Sequence, residues 1–193
     1  MAIIQGNAKQ GSTRGFYPKV INGSLRFNDD DSAYLSWTPA SAGNREKWTL
    51  SFWIKRTMSG SNDMVFYAYG SSSNLMALAF NTTDTLYMDV GGVGRMFETN
   101  AVFRDPSSWY HFVVSFNTTD YSTVSAGQIR VYCNGVEQSF STTTNMSSGF
   151  DGAISDSVDH AFGRDEGADN NYADQYLANV HFIDGQALTA SDF

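Results

Sequence analysis

Strict two-residue alternation in two neighbouring stretches leaves this chain few options other than antiparallel sheet. Between Trp109 and Phe116, the side chains of Tyr110, Phe112, Val114 and Phe116 share one face of an extended strand. Between Ile129 and Val136, Ile129, Val131 and Cys133 share a face in the same way. The Asn134-Gly135 pair that follows tolerates the positive φ values that a two-residue hairpin turn requires, and Val136 begins the return strand.

The same short-period pattern recurs along most of the chain. Strands are predicted over 24–28, 33–37, 48–56, 63–69, 74–81, 84–90, 109–117, 128–134, 136–141, 158–163 and 176–183. Turn residues separate them, and long polar loops are expected over 118–127, 141–157 and 163–175. Only Pro106-Ser107-Ser108 suggests a helical turn. This density of short strands predicts an all-β, antiparallel two-sheet sandwich or jelly roll of about 11–14 strands, and argues against βαβ units. With 193 residues there is enough chain for one sizeable core, and the 14 Phe, 10 Tyr and 4 Trp can fill it. No internal repeat interrupts residues 23–193, which read as one domain.

Charge narrows the partners. The formal net charge is −8 and only 12 residues are Lys or Arg, so a phosphate backbone or an anionic membrane surface would be repelled. No apolar run approaches the length of a membrane span, and the N-terminus lacks the apolar core of a signal peptide. The single cysteine, Cys133, cannot form an intrachain disulfide and reads as a small core residue. Residues 1–22 differ from the rest: they carry Lys9, Arg14 and Lys19, no acid, and scattered apolar residues such as Ile3, Ile4, Phe16 and Tyr17. They are too sparse for a core and read as an extended arm.

The central stretches also carry a family resemblance. The Trp109-x-His111 strand and the later Tyr132-Cys133-Asn134-Gly135 are similar to the laminin-G-like, concanavalin A-like jelly roll. Ser24-Leu-Arg-Phe27 with Ala33-Tyr-Leu-Ser36 resembles the family's first strands, and Trp48-Thr-Leu-Ser-Phe-Trp-Ile-Lys55 its early core strand. Tyr176 to Leu188 resembles the last strand and its following turn. The wording from Phe182 to Phe193 is most similar to jelly-roll domains of bacteriophage structural proteins. The resemblance implies a virion protein made in the host cytoplasm, non-enzymatic, from a tail fibre, tail spike or similar appendage that contacts host-surface glycans. It implies a homo-oligomer, a trimer in a fibre, attached to other virion proteins through the arm at Ile3, Ile4, Lys9, Arg14, Phe16, Tyr17 and Lys19. A capsid decoration or linker domain without ligand, and a glycan-degrading enzyme, are the alternatives. Related domains continue past the Asp192-Phe193 end, so the chain is expected to be a piece of a longer protein.

Candidate chemistry is sparse. Glycoside hydrolysis needs paired carboxylates, and the family's Glu-x-Asp-x-x-Glu pattern is absent. The only glutamates are Glu46, Glu98, Glu137 and Glu166. His111, His160 and His181 lack metal-ligand spacing. A calcium site is conceivable in the 163–175 loop, from Asp165, Asp169, Asn171 and Asp174, because hard cations take clustered loop oxygens. A solvated acidic loop is the alternative. Aromatics interleaved with Asn and Asp suit sugar recognition, which nominates Tyr67, Tyr69, Tyr87, Trp109, Tyr121 and Tyr172, although most aromatics of a sandwich belong to its core.

Overall fold

The computed structural model describes residues 23–165, 167 and 171–193. The predicted arm, 1–22, lies outside them, as do Glu166 and Asp169. Among the described residues there are thirteen strands: β1 (Leu25–Phe27), β2 (Leu35–Trp37), β3 (Lys47–Arg56), β4 (Asp63–Ser71), β5 (Asn74–Phe80), β6 (Thr85–Val90), β7 (Gly94–Val102), β8 (Tyr110–Asn117), β9 (Ile129–Cys133), β10 (Val136–Glu137), β11 (Phe140–Thr143), β12 (Asp159–Phe162) and β13 (Gln175–Asp184). They form two antiparallel sheets. The six-stranded sheet runs β1-β13-β3-β8-β9-β10, and the seven-stranded sheet runs β11-β7-β6-β5-β4-β12-β2.

The inward faces meet in one core, and alternation decides which residues enter it. Trp48, Leu50, Phe52 and Ile54 of β3 lie beside Phe112, Val114 and Phe116 of β8 and Ile129, Val131 and Cys133 of β9. Registered pairs stack across the strands, Phe52 on Phe112 at 5.7 Å and Trp48 on Phe116 at 5.2 Å. The seven-stranded sheet answers with Met76, Leu78 and Phe80 of β5 and Leu86, Met88 and Val90 of β6. Burial raises the Cys133 thiol to about 12, so it stays protonated and inert at neutral pH. The Asn134-Gly135 turn is as predicted: both residues have positive φ, 50° and 83°, and Cys133 pairs with Val136.

Three expectations need correction. The stretch read as one strand, 136–141, is two. Val136–Glu137 pairs with β9 in one sheet, and Phe140–Thr143 pairs with β7 in the other. The residues between bridge the sheets: Gln138 N donates to Val131 O at 2.8 Å, and Asn100 N donates to Ser139 O at 2.9 Å. Strand β7 was not predicted at all. Its pairing with β6 shifts register, which buries the adjacent Met96 and Phe97 together and erases the alternation. Finally, the polar loop 118–127 contains a single wide turn, Val124–Gln128, capped by Thr123, whose Oγ1 accepts from Ala126 N.

At one end of the sandwich, Arg56 is only 1 % exposed. It donates to Asp63 and Asp84, each at 2.8 Å, and to Phe103 O at 2.9 Å, with its guanidinium over the Phe80 ring. Desolvation would raise the Asp84 carboxyl, but the Gly60 N–H, Arg56 and Arg104 outweigh it and hold Asp84 below its ordinary value. For Asp63, desolvation wins and its carboxyl is raised. The cluster is a structural device, a buried cation satisfied from several sides.

Candidate functional site

On the outer face of the seven-stranded sheet, the registers of β4, β5, β6 and β7 set up two rows. Tyr67, Ala77, Asp89 and Arg95 stand side by side across the four strands. In the adjacent row stand Met64, Ala79, Tyr87 and Glu98. The middle strand β5 therefore presents alanines outward while its neighbours present tyrosines. Missing side-chain volume along β5 makes a trough between Tyr67 and Tyr87, an open groove of about 780 Å³. Its rims are the Gly91–Gly94 turn and the loop that carries Asp165 and Asn171.

The loop reaches the groove because its base is tied. Gly163 N donates to Val65 O, and Ala173 N donates to Gly163 O at 2.9 Å. Asp165 accepts a hydrogen bond from the Tyr67 hydroxyl and also from Gly167 N, the latter at 2.8 Å. Gly167 lies so close to the tyrosines that a β-carbon there would come within 2.8 Å of the Tyr69 ring and 3.0 Å of the Tyr67 hydroxyl. Desolvation, and then the Asp165 charge, push the Tyr67 hydroxyl well above its ordinary value, so it remains a protonated donor. Tyr87 is raised for the same first reason, with Asp89 adding to it.

Arg95 organises the opposite wall. Its guanidinium lies 3.7 Å from the centre of the Tyr87 ring. Its Nε donates to Asp89 at 2.6 Å, and one terminal nitrogen donates to Glu98 at 2.7 Å. Glu98 is held in turn by Thr85 Oγ1 and Asn81 Nδ2, at 2.8 and 2.9 Å. Desolvation raises this carboxyl, but those hydrogen bonds and Arg95 outweigh it and keep Glu98 below its ordinary value.

The nominated residues thus separate into groups. Tyr67 and Tyr87 line the groove, with Asp165 and Asn171 from the candidate calcium loop. Tyr69 stands next to Tyr67, ring centres 6.0 Å apart, beneath Gly167. Tyr67 is 5 % exposed, so it is floor rather than platform. Tyr172 pairs instead with Tyr34 at 6.2 Å, Tyr121 lies under Arg130 beside β9, and Trp109 precedes β8. Asp174 is directed elsewhere: its carbonyl accepts from Thr57 N and Oγ1, and its charge acts on Asp63. Among the described residues no three His, Cys, Asp or Glu groups are placed to hold a metal ion. Sequence reasoning did not select Asp89, Arg95 or the outward alanines. The alternation of alanine with Met76, Leu78 and Phe80 along β5 is the signal that could have found the trough.

Antiparallel sheets of six and seven strands, with a groove on one outer face, define a jelly-roll β-sandwich. Residues 29–192 match the laminin-G family model of the concanavalin A-like lectin/glucanases superfamily, and the chain belongs to that family. Solved structures agree on the fold. A native heptameric SAP-like pentraxin from Limulus polyphemus is 14% identical, with 88% of this chain and 74% of that chain covered and a TM-score of 0.54. Domains LG4-5 of the mouse laminin alpha1 chain are 14% identical, with 89% and 44% covered and a TM-score of 0.60. The NanB sialidase from Streptococcus pneumoniae is 12% identical, with 90% and 27% covered and a TM-score of 0.60. The chain thus spans under half of the laminin fragment and about a quarter of the sialidase chain. No curated protein matches it.

Proposed function

We propose that this chain is a non-enzymatic glycan-binding domain of a bacteriophage appendage, such as a tail fibre or tail spike, and that the outer groove holds the sugar. The groove carries the reading. It joins an apolar floor with carboxylate, amide and hydroxyl groups at its edges, the mixture that a pyranose with one apolar face and many hydroxyls requires. The family supports it, since lectins and glucanases share the superfamily. The phage setting, with its virion partners, homo-oligomer and arm at 1–22, is supported by the resemblance of 182–193 to phage jelly rolls. The non-enzymatic reading is supported by the missing Glu-x-Asp-x-x-Glu pattern and by the engagement of both groove carboxylates, Asp89 by Arg95 and Asp165 by Tyr67.

The test is an array of host-surface polysaccharide fragments probed with wild-type chain and Tyr87→Ala. We expect selective binding that weakens about tenfold in the variant, the worth of one good aromatic contact. Wild-type binding to no glycan would remove the reading and favour a decoration domain without ligand. Reducing-sugar release from a bound polysaccharide would replace it with the enzyme. Mass spectrometry of purified particles tests the virion setting.

A further inference from the structure

We infer that the groove selects uncharged glycans and turns away those bearing carboxylate or sulfate groups; this deepens the glycan-binding reading and rests on it. Asp89 and Asp165 both line the groove, and Arg95 is the only basic residue among its described lining residues. That one cation is already engaged. Two of its three guanidinium nitrogens are held by Asp89 at 2.6 Å and Glu98 at 2.7 Å, and one face covers Tyr87 at 3.7 Å. Three carboxylates thus surround one guanidinium or stand across from it, and the local balance is negative.

Hydrogen-bond chemistry points the same way. An ionised carboxylate only accepts, so Asp89 and Asp165 ask the ligand for donors. Sugar hydroxyls and acetamido N–H groups are donors. A sialic acid, uronic acid or sulfated sugar would set its own acceptor oxygens against them. The Tyr67 hydroxyl, a donor that could have met an anion, is spent on Asp165. The domain's net charge of −8 adds a long-range term of the same sign.

The experiment compares matched oligosaccharides, neutral hexose and N-acetylhexosamine chains against sialylated, uronic and sulfated counterparts, by binding to full chain at low and high salt. We expect neutral chains to bind and acidic ones to bind at least about tenfold more weakly, with the gap narrowing in salt as exposed charges are screened. Asp165→Asn keeps a partner for Tyr67 while removing a charge, and should narrow the gap at low salt. Should it destabilise the loop, Val93→Lys adds a cation on the exposed rim and should act likewise. Acidic glycans bound as tightly as neutral ones, with loss in Tyr87→Ala, would overturn the selectivity and leave the groove standing. Binding that is indifferent to Tyr87→Ala, or absent for both classes, would overturn the groove reading and the selectivity with it.

Discussion

Phe112 shows how far a single residue is legible in sequence. Alternation alone places it inward, and the structure surrounds it with Phe52, Phe80 and Phe103 at ring distances of 5.0–5.9 Å. Truncation to Phe112→Ala removes transfer energy and leaves a cavity, so denaturant titration should show a loss of about 3–5 kcal/mol. A loss under about 1 kcal/mol would contradict a core role. Arg56 is the opposite case. Nothing in Trp-Ile-Lys-Arg marks the last residue as buried, because its partners Asp63, Asp84 and Phe103 O arrive from other strands and turns. Arg56→Met would leave Asp63 buried without its cation and Asp84 with only Gly60 N and Arg104, and should cost about 3–5 kcal/mol in the same titration. The groove residues divide in the same way. Tyr67 and Tyr87 could be nominated by type, whereas Asp89 and Arg95 become visible only once the β6–β7 register sets them side by side.

At the scale of elements, what was legible is what local chain geometry decides. The β9–β10 hairpin rests on two adjacent residues, and Gly135 has φ near 83° with open space around its α-carbon. A substitution there is strained by backbone conformation alone and not by crowding. Gly135→Val should therefore cost roughly 1–3 kcal/mol. In thermal melts this appears as a drop of several degrees, and an unchanged melting temperature would contradict the turn. Strand β7 and the break between β10 and β11 were not legible, since both depend on distant pairing. The register shift in β7 is imposed by β6, and the change of sheet after Glu137 is imposed by β9 on one side and β7 on the other. The 163–175 loop was legible as a polar excursion but not in its destination, because the tie from Gly163 to Val65 spans nearly a hundred residues of chain.

For the molecule as a whole, pH should act on stability in two stages of the same sign. His160 is buried on β12, between β2 and β4 of the seven-stranded sheet, near Trp37 at 5.3 Å and Phe66 at 5.9 Å, with Nδ1 2.8 Å from Val158 O. Burial lowers its pKa below 6.5, although Val158 O, Asp156 and Asp159 pull it upward. The folded state therefore binds this proton less readily than the unfolded chain. Its contribution is complete above pH 6.5 and is lost as pH falls toward the depressed folded value. The second stage belongs to Asp84, Glu98 and Asp156, all held below their ordinary values. Their contributions are complete above the unfolded carboxylate range near about 4 and vanish as pH falls below it. Asp63, with its raised pKa, runs the other way: its share is present at low pH and is lost as pH rises through its folded value. It opposes the second stage in sign. The variant that separates the stages is His160→Asn, whose amide can still donate to Val158 O but carries no titrating ring. Melting temperatures measured from neutral pH down to the carboxylate range should fall earlier for wild type than for the variant, so that their difference narrows on acidification. Parallel curves through the histidine range would show that His160 does not couple protonation to folding.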